Sequence, residues 1–188
     1  MRLTEADILI APGLGNSPPD HWQRRWASRF PSAGIVEQVD WHTPVLADWV
    51  DRIHHEVKLA TRPVVLVGHS LSVAAIVHTA QLRLKDTKVR GAFLVSPPDF
   101  EGQAIPEEAQ PFGDVPTDPL PFPSMVICST NDQLVSVDRA QGFAADWGSD
   151  FKLAGDAGHI NVVSGHGPWP EGLLMFGELM KRLKPRLR

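Results

Sequence analysis

The stretch PVVLVGHSLSVAAIVH, residues 63–78, constrains the fold more than any other. Its first half is continuously apolar, the mark of a strand covered on both faces. A small polar turn follows, and then a second apolar run of helical length. A strand buried on both faces needs helices above and below, and neighbouring strands of the same kind. The rest of the chain supplies them. ADILIAPG (6–13), AGIVEQVD (33–40), VRGAFLVSPP (89–98), PSMVICST (123–130) and DFKLAGD (150–156) read as further strands. A helix over 20–30 carries Trp22, Trp26 and Phe30 on one face. Another, opening at Thr43-Pro44, carries Leu46, Trp49, Val50, Ile53 and Val57 at helical spacing. Further helices cover 72–84, the stretch from Ser136 with Val137, Ala140, Ala144 and Trp147, and 171–184.

Strands alternating with helices of this length predict a parallel sheet in a three-layer α/β/α sandwich. Right-handed crossovers restrict the winding. The expected order is 2-1-3-4-5-6 over six strands, in one domain spanning 1–188 without a separate cap. Ligands in such sheets bind beyond the carboxyl ends of the strands, near the switch between the first and third. One segment breaks the rhythm. Residues 99–124 are proline-rich and aperiodic, so they read as a surface loop with a short helix around 106–110, or as a lid over the pocket.

Within this frame Ser70 draws attention. Gly68-His69-Ser70-Leu71-Ser72 follows G-x-S-x-G, the nucleophile elbow between a strand and a helix, with small Ser72 in place of the second glycine. A serine hydroxyl is a poor nucleophile until a base, an orienting acid and oxyanion donors surround it. The acid and the histidine should follow in that order, at the same sheet edge. Asp132 stands just past the fifth strand, and His159 just past the sixth. The elbow predicts two partners elsewhere in the chain, and both positions are filled. The expected oxyanion donors are the backbone N–H groups of Leu71 and of Leu14, in the PGLGNS loop after the first strand. Blander roles compete at each position. Asp132 could cap a helix, with Asp99, Asp138 and Asp156 as rivals, and His21, His69 and His166 rival His159.

Other signals are weaker. PGLGNSP resembles a dinucleotide loop, but Pro18 stands where the third glycine is required. His54-His55-Glu56 lacks metal-ligand spacing, and the tryptophan stripe and Trp169 read as core. The net charge of −4, with dispersed basic residues, suggests neither a nucleic acid nor an anionic membrane as partner. The single cysteine, Cys128, leans towards a reducing cytoplasm. MRLTEAD has no apolar core of a signal peptide, and no apolar run is long enough to cross a bilayer.

Several stretches together resemble the small serine α/β-hydrolases related to retinoblastoma-binding protein nine. They are PGLGNSPPDHWQRRW, VGHSLS, LVSPPD, PLPFPS, NDQLV and AGHINVVSGHGPWPEG, and they span most of the chain. The resemblance implies a compact hydrolase with Ser70, Asp132 and His159 as its triad. The expected activity is cleavage of a carboxylic ester of a small molecule, with amides and thioesters also open, and it calls for no metal or cofactor. The pH profile should rise through a histidine titration near neutrality. The family name raises a second class, a protein-interaction module on a retained hydrolase scaffold. The associated L-x-C-x-E pattern fails here, because the lone cysteine sits in VICST.

Overall fold

The structure, a computed structural model, describes residues 1–102 and 104–183. Its strands are β1 (Asp7–Ala11), β2 (Ala33–Ile35), β3 (Val64–His69), β4 (Val89–Val95), β5 (Ser124–Cys128) and β6 (Asp150–Leu153). They form one parallel sheet in the order β2-β1-β3-β4-β5-β6. The helices are α1 (Trp22–Arg29), α2 (Leu46–Leu59), α3 (Leu71–Arg83), α4 (Val137–Asp146) and α5 (Pro170–Arg182).

The period-two alternation of each strand divides the core into two layers. Ile8, Ile10, Val65, Val67, Phe93, Val95, Met125 and Ile127 face α1 and α5. There Trp22, Trp26, Trp169 and Phe176 build an aromatic layer, with Trp26 and Trp169 stacked at 6.0 Å. Leu66, Ala92, Leu94, Val126 and Cys128 face α2, α3 and α4 on the other side. The central strands are sealed on both faces, which is why their sequences run apolar without a break.

Several expected boundaries shift. The second strand was expected to reach Asp40, yet β2 ends at Ile35. It lies at the sheet edge, and after the Val36 N–H meets Ile10 O the chain turns away, leaving Val39 exposed. The Asp40 carboxylate accepts the N–H groups of His42 and Thr43, so it fastens a turn rather than ending a strand. The second helix starts at Leu46 rather than at Thr43-Pro44. The last strand stops at Leu153, before the left-handed Gly155. Helix α5 begins at Pro170, and Lys184, expected as its end, lies outside the described residues.

Segment 99–124 extends the core. It holds a 3-10 helix over Glu107–Phe112 and buries Ile105, Ala109, Phe112, Leu120 and Phe122 with the α2/α3/α4 layer. Phe112 meets the Trp49 ring edge-on at 5.5 Å, and Trp147 Nε1 donates to Pro116 O at 2.8 Å. None of its described residues lines the cleft over Ser70 or the hollow beside His159.

Candidate active site

Ser70 occupies the turn between β3 and α3, with φ 57° and ψ −130°. That backbone is strained for any residue with a Cβ, and the surroundings hold it in place. The Ser70 N–H donates to Val95 O at 3.0 Å, tying the turn to β4. Strand and helix approach closely here, since a Cβ on Gly68 would stand 2.6 Å from Ile76 Cδ1 and 3.3 Å from Ser72 Oγ. Ser72, the substitute for the second elbow glycine, has a use of its own. Its hydroxyl donates to Ala11 O at 2.5 Å and accepts the His69 N–H at 2.9 Å, so it locks the turn to the end of β1.

The same carbonyl of Ala11 receives Gln23 Nε2 at 2.9 Å, and Gln23 Oε1 receives the Ser17 hydroxyl at 2.7 Å. This buried network couples α1, the loop after β1 and the elbow. It brings the loop against the serine. A Cβ on Gly13 would lie 2.9 Å from Ser70 Cβ and 3.3 Å from Leu71 N. The N–H groups of Leu14 and Leu71 donate to no partner among the described residues. Leu71 is the first residue of α3, where the N–H groups have no carbonyl a turn earlier to meet.

His159 and Asp132 arrive from the ends of β6 and β5. His159 Nε2 stands 2.9 Å from Ser70 Oγ, and its Nδ1 stands 2.9 Å and 3.0 Å from the two oxygens of Asp132. The Asp132 side chain is sealed from solvent and also accepts the Leu134 N–H at 3.0 Å. The three residues therefore form one hydrogen-bonded chain across three strand ends. Their rivals are engaged elsewhere. Asp99 pairs with Arg139, Asp156 accepts from Thr130, and His166 Nδ1 contacts Ser164.

The loop that carries His159 is held from below. His69 Nε2 donates to His159 O at 2.8 Å, and Trp22 Nε1 donates to Ile160 O at 2.9 Å. Burial pushes the His69 pKa well below the usual histidine value, so its ring is a neutral donor. Gly158 and Ile160 flank the histidine at φ 56° and 48°. A Cβ on Gly158 would stand 2.6 Å from Ser164 Cβ. His69, a rival of His159 in the sequence, thus serves as its brace, a role the sequence does not announce. The HWQ triplet was the one visible trace of this bracing, since Trp22 and Gln23 each make a long-range polar bond. Cys128 is buried, which raises its thiol pKa to about 11 and keeps it in the less nucleophilic thiol form.

A cleft of about 170 Å³ opens over Ser70, between Gly13–Leu14, His21, His159 and Val163. A wider hollow of about 440 Å³ shares His159, Asn161 and Val163 with that cleft and adds Gln133, Leu134 and Ser164 to its wall. Another hollow, lined by Asp7, Pro31 and Arg62, lies at the β1/β2 edge and has none of these residues in its wall.

A family model described as serine hydrolase matches residues 8–178. The chain belongs to that serine hydrolase family. It is 34% identical to a protein of Pectobacterium atrosepticum described as a YdeN-like hydrolase, over 97% of this chain and 94% of that one, with a TM-score of 0.85. The ydeN gene product of Bacillus subtilis shares the fold at 19% identity, covering 95% and 100% of the two chains, with a TM-score of 0.77. Esterase 2 of Thermogutta terrifontis does so at 15% identity, covering 97% and 85%, with a TM-score of 0.69. No curated protein matches the sequence significantly. Among the described residues no helix is long and apolar enough to cross a membrane.

Proposed function

We propose that this hydrolase cleaves carboxylic esters of small molecules through an acyl-enzyme on Ser70, with thioesters and amides as related substrates. The observation that carries the reading is the continuous hydrogen-bonded chain from Ser70 through His159 to Asp132. In this reading Ser70 Oγ attacks the carbonyl carbon while His159 Nε2 takes its proton. Asp132 holds the imidazole in orientation and stabilises its charged form. The oxyanion that develops is received by the N–H groups of Leu71 and Leu14, both free to donate. Collapse of the tetrahedral species breaks the bond to the leaving group, which departs with the proton from His159. Water then repeats the cycle on the acyl-enzyme, releasing the acid and restoring Ser70. A cytoplasmic setting belongs to the same reading, on the strength of the lone, buried Cys128.

The test is labelling with a fluorophosphonate on wild type and on Ser70→Ala, with the adduct mapped by mass. An adduct on Ser70 that is absent from the variant is the expected result. Folded wild-type protein that takes no label and turns over no acyl ester would overturn the reading in favour of a binding module.

A further inference from the structure

His21 stands outside the proposed triad, and its surroundings fix where its proton sits. The imidazole caps α1, with Nδ1 accepting the backbone N–H of Gln23 at 3.2 Å. A backbone amide can only donate, so Nδ1 must present its lone pair. In the neutral ring the single N–H is then on Nε2. Burial, with His159 and His166 nearby, pulls the His21 pKa down to about 4, so the ring is neutral through the ordinary working range. The residue is 3% exposed, yet it walls the cleft over Ser70. Nε2 has no partner among the described residues, and the sealed orphan atoms belong to Gln38 and Ser96 alone. The Nε2–H therefore opens into the cleft.

Two polar groups beside it are committed elsewhere. The Ser17 hydroxyl donates to Gln23, and Asn16 Oδ1 accepts from Arg24. The His21 ring lies 5.1 Å from that of His69, which lies 4.9 Å from that of His159. So His69 is in ring contact with both the donor residue and the proposed base. A leaving group must collect its proton from His159, and the wider hollow touches His159 but not Ser70. The 170 Å³ cleft reaches both Ser70 and His159, so an acyl chain bonded to the carbon that Ser70 attacks extends along its His21 wall.

Building on the hydrolase reading above, we propose that His21 Nε2–H recognises an acceptor oxygen on the acyl chain, so that the preferred acyl group is short and carries an ether, hydroxyl or keto oxygen. A plain alkyl chain in the same place displaces water from the donor and leaves it unpaired. The experiment compares p-nitrophenyl methoxyacetate with p-nitrophenyl butyrate, which differ by an ether oxygen in place of one methylene. Each kcat/KM is divided by the ester's own rate with hydroxide, which removes intrinsic reactivity. Wild type should favour the methoxyacetate by roughly tenfold, the effect of one satisfied buried donor. His21→Ser keeps a capping acceptor but no donor at that reach, and brings the ratio to about one. His21→Asn caps likewise, carries a shorter donor, and gives a ratio between the two. Circular dichroism confirms that each variant is folded. A wild-type ratio near one, or a ratio that neither variant moves, overturns the proposal while leaving the hydrolase reading intact. A Ser70 adduct with neither ester turned over also overturns the short-acyl assignment alone. No adduct and no turnover removes the hydrolase reading, and this inference with it.

Discussion

Two long irregular segments leave the carboxyl edge of the sheet, and the balance of forces that holds them differs. Segment 99–124 follows β4 and is anchored mainly by apolar burial, with Phe112 and Ile105 packed in the α2/α3/α4 layer, beside a few bonds such as Trp147 Nε1 to Pro116 O. Segment 154–169 follows β6 and is anchored by directed polar bonds. Its carbonyls are caught by His69 and Trp22, its N–H groups at Ala157 and Gly158 by Ser129 and Asn131, and its turn by Asn161 and Ser164. Apolar contacts fill space but tolerate shifts of several tenths of an ångström. Hydrogen bonds fix direction, and a side chain that must aim one nitrogen at a serine and the other at a carboxylate needs that. Emergence at the right edge of the sheet does not by itself make a loop functional.

The comparison predicts a division of effects between the two segments. The largest falls on the polar side. Asp132→Asn keeps the side chain's shape but removes the charge that orients His159, and kcat should fall by about 10³–10⁴ with little change in thermal midpoint. Steady-state hydrolysis of an activated ester beside a melting curve reads both. A loss of stability with activity per folded molecule retained would show that Asp132 only supports the turn at Leu134.

The apolar side should answer in reverse. Phe112 is fully buried, and Phe112→Ala should lower stability by about 3–5 kcal/mol. The kcat/KM of the folded fraction should stay within about twofold, because none of the segment's described residues lines the cleft over Ser70 or the hollow beside His159. Urea melts with activity measured below the transition separate the two quantities. A selective loss of kcat/KM would mean that segment 99–124 reaches the substrate after all.

Acid should sharpen the contrast further. His21 has a folded pKa of about 4 against an ordinary value of 6.5. Between those values the unfolded chain binds the proton and the folded chain does not. Stability is thus fully present above about pH 6.5 and is lost as pH falls towards 4, by on the order of 3 kcal/mol for this residue. His69 acts in the same direction. Both lie on the α1 side, while His78, held below the usual value by burial and bonded to Phe112 O, acts likewise beside 99–124. Hydrogen exchange near pH 5 should therefore speed up in both segments and more in 154–169, where the rings of His21 and His69 pack towards His159. Equal acceleration in both segments would dissolve the distinction.

How much of this was visible in the chain follows the same line. The six-strand order could be read because buried parallel strands carry their signal locally, as 63–69 does. Ser70, Asp132 and His159 could be singled out because each stands just past a strand end, and the structure brings them into contact. The early end of β2 was hidden, since an edge strand has no two-sided burial to mark where pairing stops. The braces were hidden for another reason. A bond such as His69 to His159 O joins residues far apart in sequence, and nothing in either residue's neighbours foretells it. The proline-rich 99–124 was open to a lid reading because composition reports irregularity, not what the irregular chain packs against.

The smallest effect tests the bracing idea most directly. Trp22 is wholly buried in the aromatic layer, and its one polar act is the bond from Nε1 to Ile160 O at 2.9 Å. Trp22→Phe keeps much of the packing and deletes the donor, leaving a buried carbonyl unpaired at about 1–3 kcal/mol. Ile160 sits in the left-handed region, so part of that energy should appear as relaxation of its backbone rather than as global instability. The expected signature is a kcat reduced by about three- to tenfold, with KM nearly unchanged, because the loop loses aim rather than the cleft losing volume. Trp22→Leu removes the same bond together with more of the packing, and should add a stability loss on top of a similar fall in kcat. If the Phe variant keeps full kcat while both variants lose stability, Trp22 serves the core alone. The polar bracing of the histidine loop would then rest on His69 and the β5 turn.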